Sequence, residues 1–100
     1  MFVAIYRWRL KPDREGEVRG AWSRVTQAIH TKCGSHGSSL FRADDGGHVG
    51  IACWPSRDAW QQCRAAEPSD LEIMERCIAE RFPPQLLESE AVRWDLPPSP

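Results

Sequence analysis

One hundred residues are enough for one domain with a single core, which can bury roughly two thirds of the surface its unfolded chain exposes, and too few for a second domain of ordinary size. Lysine and arginine number 13 against 14 aspartates and glutamates, scattered among one another, which excludes the positive stripe that a nucleic-acid backbone requires. The opening stretch MFVAIYRWRL meets Arg7 and Arg9 too soon for a signal sequence or a membrane span, so a cytoplasmic protein away from membranes is expected.

Residues 2–10 alternate, with Phe2, Ala4, Tyr6, Trp8 and Leu10 on one face and Val3, Ile5, Arg7 and Arg9 on the other. Both faces carry apolar residues, so this strand is expected at the centre of a sheet. Lys11-Pro12-Asp13 then opens a helix, because proline is tolerated in a first turn and Asp13, Glu15 and Glu17 suit its positive end. Val18, Trp22, Val25, Ile29 and Cys33 form one stripe along it, and Gly34 supplies a left-handed stop. Gly16 and Gly20 each weaken the helix by ~1 kcal/mol relative to alanine, so tertiary packing must hold it.

Residues 37–44 and 48–54 read as two antiparallel strands joined through Asp44-Asp45-Gly46-Gly47, whose Asp-Gly step is a hairpin signal. Ser56 suits the N-cap of a short helix with Ala59, Trp60 and Cys63 inward, and Pro68 ends that segment. Ser69-Asp70-Leu71-Glu72 reads as a capping box for a further helical piece, with Leu71, Met74, Ile78 and Phe82 on one side until Pro83-Pro84 stops it. A last strand is expected near residues 87–95, with Val92 and Trp94 on one face. One domain then spans residues 1–96, and the Pro-rich residues 97–100 form a tail, since consecutive prolines cannot continue a ladder. Cys33, Cys53, Cys63 and Cys77 include no Cys-x-x-Cys pair and fall on different elements, so reduced, mostly buried thiols are expected.

The order strand, helix, hairpin, helix, strand gives a ferredoxin-like α+β fold, βαββαβ, with both helices on one face of a four-stranded antiparallel sheet. Val3 and Ile5, with residues of the hairpin and the last strand, would leave the other face apolar and bare. A second copy of the sheet is expected to cover it, which makes the protein a homodimer.

Three segments carry a resemblance to a known family. They are Arg7-Trp8-Arg9-Leu10-Lys11-Pro12 at the end of the first strand, Gly34-Ser35-His36-Gly37 before the second, and Trp54-Pro55-Ser56-Arg57-Asp58-Ala59-Trp60 from the third strand into its helix. In order and spacing the chain resembles the antibiotic biosynthesis monooxygenase-like members of the dimeric α/β-barrel superfamily over nearly all of residues 1–96. The resemblance implies a ferredoxin-like protomer, a dimer made by the sheets, and a cavity between each sheet and its own helices. It also implies chemistry of the kind its members perform: cofactor-independent oxygenation of polyketide quinone precursors, quinol oxidation or haem degradation. The haem-degrading set of Asn, Trp and His is replaced here by Tyr6, Cys63 and a residue near Ile73, and no histidine follows His48, where many quinol-oxidising relatives carry histidines.

A cofactor-free oxygenase deprotonates an acidic phenol, quinol or 1,3-dicarbonyl, whose anion itself reduces oxygen. It needs an apolar cavity, a few orienting hydrogen bonds and at most one base. Tyr6 is the first candidate, because the helix-facing side of its strand would aim its hydroxyl at a substrate oxygen; the alternative is a core tyrosine with a satisfied hydroxyl. His36, a loop histidine at a position the family's loop sometimes fills with histidine, is the candidate base, with plain solvent exposure as the alternative. Trp8, Trp22, Trp54 and Trp60, whose flat rings suit an aromatic polycycle, are candidate cavity walls or ordinary core fillers, as is Trp94. Arg42 and Arg93 could stabilise an anion or join surface ion pairs.

His30, Cys33 and His36, with His48 as a conceivable fourth donor, offer a zinc-type set, although Cys33 also completes the helical stripe. Gly46-Gly47-His48-Val49-Gly50 is no phosphate loop, because it lies in a hairpin. No Gly-x-Ser-x-Gly elbow supports a hydrolase. The expectation is thus a cofactor-independent monooxygenase for a small aromatic, quinol-like or polyketide-type molecule and molecular oxygen. The competing class is a non-catalytic dimeric small-molecule-binding or stress-related protein.

Overall fold

A computed structural model of the chain describes residues 1–94 and 97–98. Its elements follow in the order β1 (Phe2–Leu10), α1 (Glu15–Cys33), β2 (Gly37–Arg42), β3 (His48–Trp54), α2 (Arg57–Gln62), α3 (Pro68–Cys77), β4 (Ile78–Arg81) and β5 (Gln85–Glu88). The sheet order is β2-β3-β1-β4, and β5 also pairs with β1. All pairings are antiparallel. This is the expected ferredoxin-like α+β arrangement, with β1 central, where its two apolar faces require it to be.

The fourth strand position comes in two pieces, and it starts earlier in the chain than the sequence pattern suggests. β4 lies against Trp8–Leu10 and β5 against Phe2–Ile5. Between them the Phe82 N–H still donates to the Arg7 carbonyl at 3.1 Å, but Pro83 and Pro84 have no N–H and interrupt the ladder. The expected helix to Phe82 therefore ends at Cys77, and Ile78 already has an extended backbone (φ −88°, ψ 123°). Ile78 and Phe82 continue the helical spacing of Leu71 and Met74 by coincidence; pairing with the free edge of β1 decides their conformation. The strand expected at 87–95 shrinks to its first two residues, and Val92 and Trp94 are exposed outside any strand. Asp95, Leu96, Ser99 and Pro100 of the expected strand end and tail lie outside the described residues.

Helix ends are set by local chemistry. Asp13 adopts a left-handed φ of 62° and delays the start of α1 to Glu15. At the other end Gly34 takes φ 75°, and the Gly34 and Ser35 N–H groups close onto the His30 and Ile29 carbonyls. The Ser56 hydroxyl caps α2 by accepting from the Ala59 N–H at 3.1 Å. The expected capping box at Ser69 does not form: α3 begins one residue earlier, with Pro68 in its first turn and no side-chain cap. Arg24 of α1 donates to the buried Asp70 carboxylate at 2.7 Å, which ties α1 to α3.

Phe2, Ala4, Ala52 and Trp54 form the core between sheet and helices. On the opposite face Val3, Ile5, Val49, Ile51 and Cys53 are only half-buried, and Phe41 and Leu87 are 51% and 39% exposed. One expectation about the cysteines is overturned. Cys33 and Cys63 form a disulfide, with Cα atoms 5.8 Å apart, while Cys53 and Cys77 are free. The bond joins the ends of α1 and α2 across 30 residues of sequence. Only the packing of two separate helices brings these sulfurs together, so no spacing motif announces the pair.

Candidate functional site

Between the sheet and the helices lies a cavity of about 710 Å³. Its floor is the helix-facing side of the sheet: Tyr6 and Trp8 from β1, Gly50, Ala52 and Trp54 from β3, and Ser38 from β2. The stripe of α1, through Trp22, Val25 and Ile29, forms one wall, and Leu71 and Met74 of α3 form another. These stripe residues are half-buried because they border this space. Cys63, Arg64, Ala65 and Ala66, which connect α2 to α3, complete the rim. The cavity is thus built by the period-two alternation of β1 and β3 meeting the 3.6-residue period of α1.

Polar groups within it are few and mostly donors. The Trp60 indole N–H donates to the Tyr6 hydroxyl at 2.8 Å, so the tyrosine oxygen is an acceptor there and its own proton remains for another acceptor. The Tyr6 and Trp8 rings stack with centroids 6.3 Å apart. Although their rings border the cavity, the indole nitrogens of Trp8 and Trp54 are buried away from it, without a hydrogen-bond partner among the described residues. Thr26 Oγ1 and Ser38 Oγ share a 2.7 Å hydrogen bond, which leaves one hydroxyl proton over. At the rim Arg81 and Glu75 form a 2.6 Å ion pair, while Arg64 donates to the Gln61 and Cys63 carbonyls, each at 2.7 Å.

Of the residues singled out from the sequence, Tyr6, Trp8, Trp22, Trp54 and Trp60 all border this cavity. His36 does not. Its side chain is exposed, and its backbone N–H donates to the Cys53 carbonyl at 2.8 Å, which stitches the α1–β2 loop to β3. Arg42 also lies elsewhere, because it sits at the last position of β2 opposite His48, beyond the cavity's end. The zinc-type set is not assembled: the Cys33 sulfur is bonded to Cys63, and His30 Nδ1 lies 2.6 Å from the Ser35 carbonyl oxygen. No group of three or more metal-type donors occurs among the described residues.

The free thiols are not poised as nucleophiles. Burial raises the pKa of Cys53, and burial followed by the nearby Glu17 carboxylate raises that of Cys77.

Sequence reasoning passed over Gly50, Ser38, Thr26 and Arg64. Gly50 had a signal, since glycine inside a strand often marks a close approach: a Cβ built there would lie 2.8 Å from the Trp8 ring. Ser38 and Thr26 had none, because the hydroxyl pair joins a strand to a helix.

The sequence matches no protein-family model and no curated protein. Solved structures do match. SnoaB, a cofactor-independent oxygenase from Streptomyces nogalater, superposes with a TM-score of 0.72 at 18% identity, over 94% of this chain and 97% of that one. A protein described as a candidate antibiotic biosynthesis monooxygenase from Chloroflexus aurantiacus gives 0.74 at 8% identity, over 92% and 95%. Rv0793 from Mycobacterium tuberculosis gives 0.71 at 18% identity, over 91% and 96%. The chain therefore has the ferredoxin-like fold of the antibiotic biosynthesis monooxygenase-like proteins that its own sequence resembles.

Proposed function

We propose that this protein is a cofactor-independent monooxygenase of the antibiotic biosynthesis monooxygenase-like family, acting as a single domain on a small aromatic, quinol-like or polyketide-type substrate. The observation that carries the reading is the chemistry of the cavity. Its walls are apolar and aromatic, and its hydroxyls keep spare donor capacity: the Tyr6 hydroxyl and one of the Thr26–Ser38 pair. The carboxylate at its wall, Glu75, is engaged by Arg81. Such a site favours a flat molecule rich in acceptor oxygens, and favours it more as an anion.

An acidic methylene or phenol bound there loses its proton to water, because His36 stands outside the cavity. The anion then reduces molecular oxygen. At a methylene carbon, one C–H bond is replaced by a bond to a hydroperoxyl group, and the hydroperoxide then loses water to leave a ketone. One oxygen atom ends in the ketone and the other in water, and the two C–H bonds supply all four electrons. Tyr6 orients the substrate oxygen and holds the negative charge as it forms.

The homodimer belongs to the same proposal. The face bearing Val3, Ile5, Val49 and Ile51 is the sheet face that the helices leave uncovered, and its apolar residues suit a second copy. Native mass spectrometry should give a dimer at micromolar concentration, and Ile5→Lys should give a folded monomer; a wild-type monomer would overturn this part. A cytoplasmic site of action is retained, although the Cys33–Cys63 bond is unusual in a reducing compartment; cell fractionation tests it.

A competing reading, a dimeric protein that binds without turnover, is favoured by the lack of an unpaired base among the described residues of the cavity. Oxygen uptake with a panel of hydroquinones and anthrones separates the two. Consumption that depends on Tyr6 supports the enzyme, and binding without uptake across the panel supports the binder.

A further inference from the structure

A second concavity, of about 810 Å³, opens where the first turns of α1 cross the far end of the sheet. Leu40 and Trp22 give it an apolar wall, and Arg19, Arg42 and His48 line it as well. The hairpin register sets Arg42 directly opposite His48 on neighbouring strands, both on the helix-facing side, while Arg19 faces them from α1. Among the described residues no carboxylate pairs with Arg19 or Arg42, although most of the other arginines have an acidic partner. Glu15 is the one acid among the described residues of the groove and makes no ion pair with either. His48 Nδ1 is buried, closed to the groove, and has no hydrogen-bond partner among the described residues, so the guanidiniums of Arg19 and Arg42 are the groove's cationic contacts.

We propose that this groove is a second binding site, separate from the inner cavity, and that it takes planar aromatic carboxylates. The ring lies against Leu40 and Trp22. The carboxylate meets the guanidinium forks of Arg42 and Arg19, whose geometry matches two carboxylate oxygens, with His48 beside them. Trp22 borders both spaces, so an occupant of the groove fixes one wall of the cavity. The site therefore offers an acidic aromatic molecule a way to act on the cavity from outside it.

The test uses 2-naphthoate and its uncharged relative 2-naphthamide with the full chain. Backbone and indole resonances are followed by NMR, and affinity by calorimetry. Naphthoate should shift the resonances of Arg42, His48 and the Trp22 indole, and naphthamide should bind about tenfold more weakly or worse, as expected for loss of a charge-assisted contact. Arg42→Ala and Arg19→Ala, both surface changes checked by circular dichroism, should each weaken naphthoate to a similar degree. Met74→Ala, in the inner cavity, should leave it unchanged. Equal binding of acid and amide, shifts confined to Tyr6 and Met74, retention of affinity in both arginine variants, or no binding at millimolar ligand would each overturn the proposal. The wild-type comparison of acid with amide decides the matter even if a variant fails to fold. None of these outcomes depends on oxygenase activity.

Discussion

The Tyr6 hydroxyl and the Trp60 indole N–H are 2.8 Å apart, with the indole as donor, although 54 residues separate them. The bond fixes the hydroxyl at the cavity floor and directs its proton elsewhere. Tyr6→Phe should leave the Trp60 N–H without its acceptor and cost ~1 kcal/mol of stability. It should also lower kcat by ~10–100-fold, with a smaller change in KM, because the missing donor serves the charge that develops in the reaction. Trp60→Phe keeps Tyr6 but frees its hydroxyl to rotate, so a milder loss is expected. Steady-state oxygen uptake and denaturant melts of both variants provide the check.

Gly50 and Trp8 define the narrowest part of the floor. The Trp8 ring lies over Gly50 so closely that an added Cβ would come within 2.8 Å of Cη2 and 3.1 Å of Cζ3. Trp8 is itself buried, so the ring has little room to yield. Gly50→Ala should cost ~1–3 kcal/mol through overpacking and push the ring into the cavity. Lower thermal stability, a change in tryptophan fluorescence and weaker binding of any cavity ligand should appear together. A variant as stable as the wild type would mean that the ring moves freely.

Much of the fold was legible because it is local. The two-residue alternation of Phe2 to Leu10 assigns both faces of β1, Gly34 marks the end of α1, and the Asp45-Gly46 step marks the hairpin. The cavity walls followed from the same periodicities, which is why Tyr6 and four tryptophans were found. What escaped is non-local. Ile78 and Phe82 fit a helical stripe equally well until β1 offers them a strand partner, and no spacing within the chain links Cys33 to Cys63. His36 lies apart from the cavity for a similar reason: of the two readings its loop position allows, the structure has the exposed one, with its backbone fastening the loop to β3. The spare donors of the cavity are the Tyr6 hydroxyl and one of the Thr26–Ser38 pair, and these arise from contacts between separate elements that no local pattern announces.

The hairpin turn should respond to acid through Asp45. Its carboxylate accepts from the Gly47 N–H at 2.9 Å and from Arg9 at 3.2 Å. The Gly47 hydrogen bond, followed by the Arg9 charge, lowers its pKa below the ordinary carboxylate value. A group whose folded pKa is depressed contributes stability above its unfolded pKa, and that contribution fades as pH falls through the folded value. The Gly46 and Gly47 amides should therefore lose exchange protection as pH drops below about 4, the ordinary aspartate range. In Asp45→Asn the side-chain oxygen can still accept from Gly47, but nothing titrates, so protection should be lower at neutral pH and flat across that window. Amide exchange measured at several pH values would show the difference, and identical profiles in the two proteins would exclude Asp45 as the acid-sensitive group.

The disulfide should matter more to the cavity wall than to the sheet. Cys63 sits at the rim, and its bond to Cys33 fastens the α2–α3 connection to the end of α1. Closing a loop of this length removes chain entropy from the unfolded state worth ~3–4 kcal/mol, so reduction should lower the melting temperature by several degrees or more. The sheet, α1 and α3 keep their own packing, with Arg24–Asp70 still in place. Local freedom should therefore appear first in the segment from Cys63 to Glu67. With a dithiol reductant, or in Cys33→Ala/Cys63→Ala protein, exchange should quicken across Arg64, Ala65 and Ala66 while the amides of β1 and β3 remain protected. Uniform destabilisation of all elements, with no excess in that connection, would show instead that the bond acts on the whole fold and not on the rim.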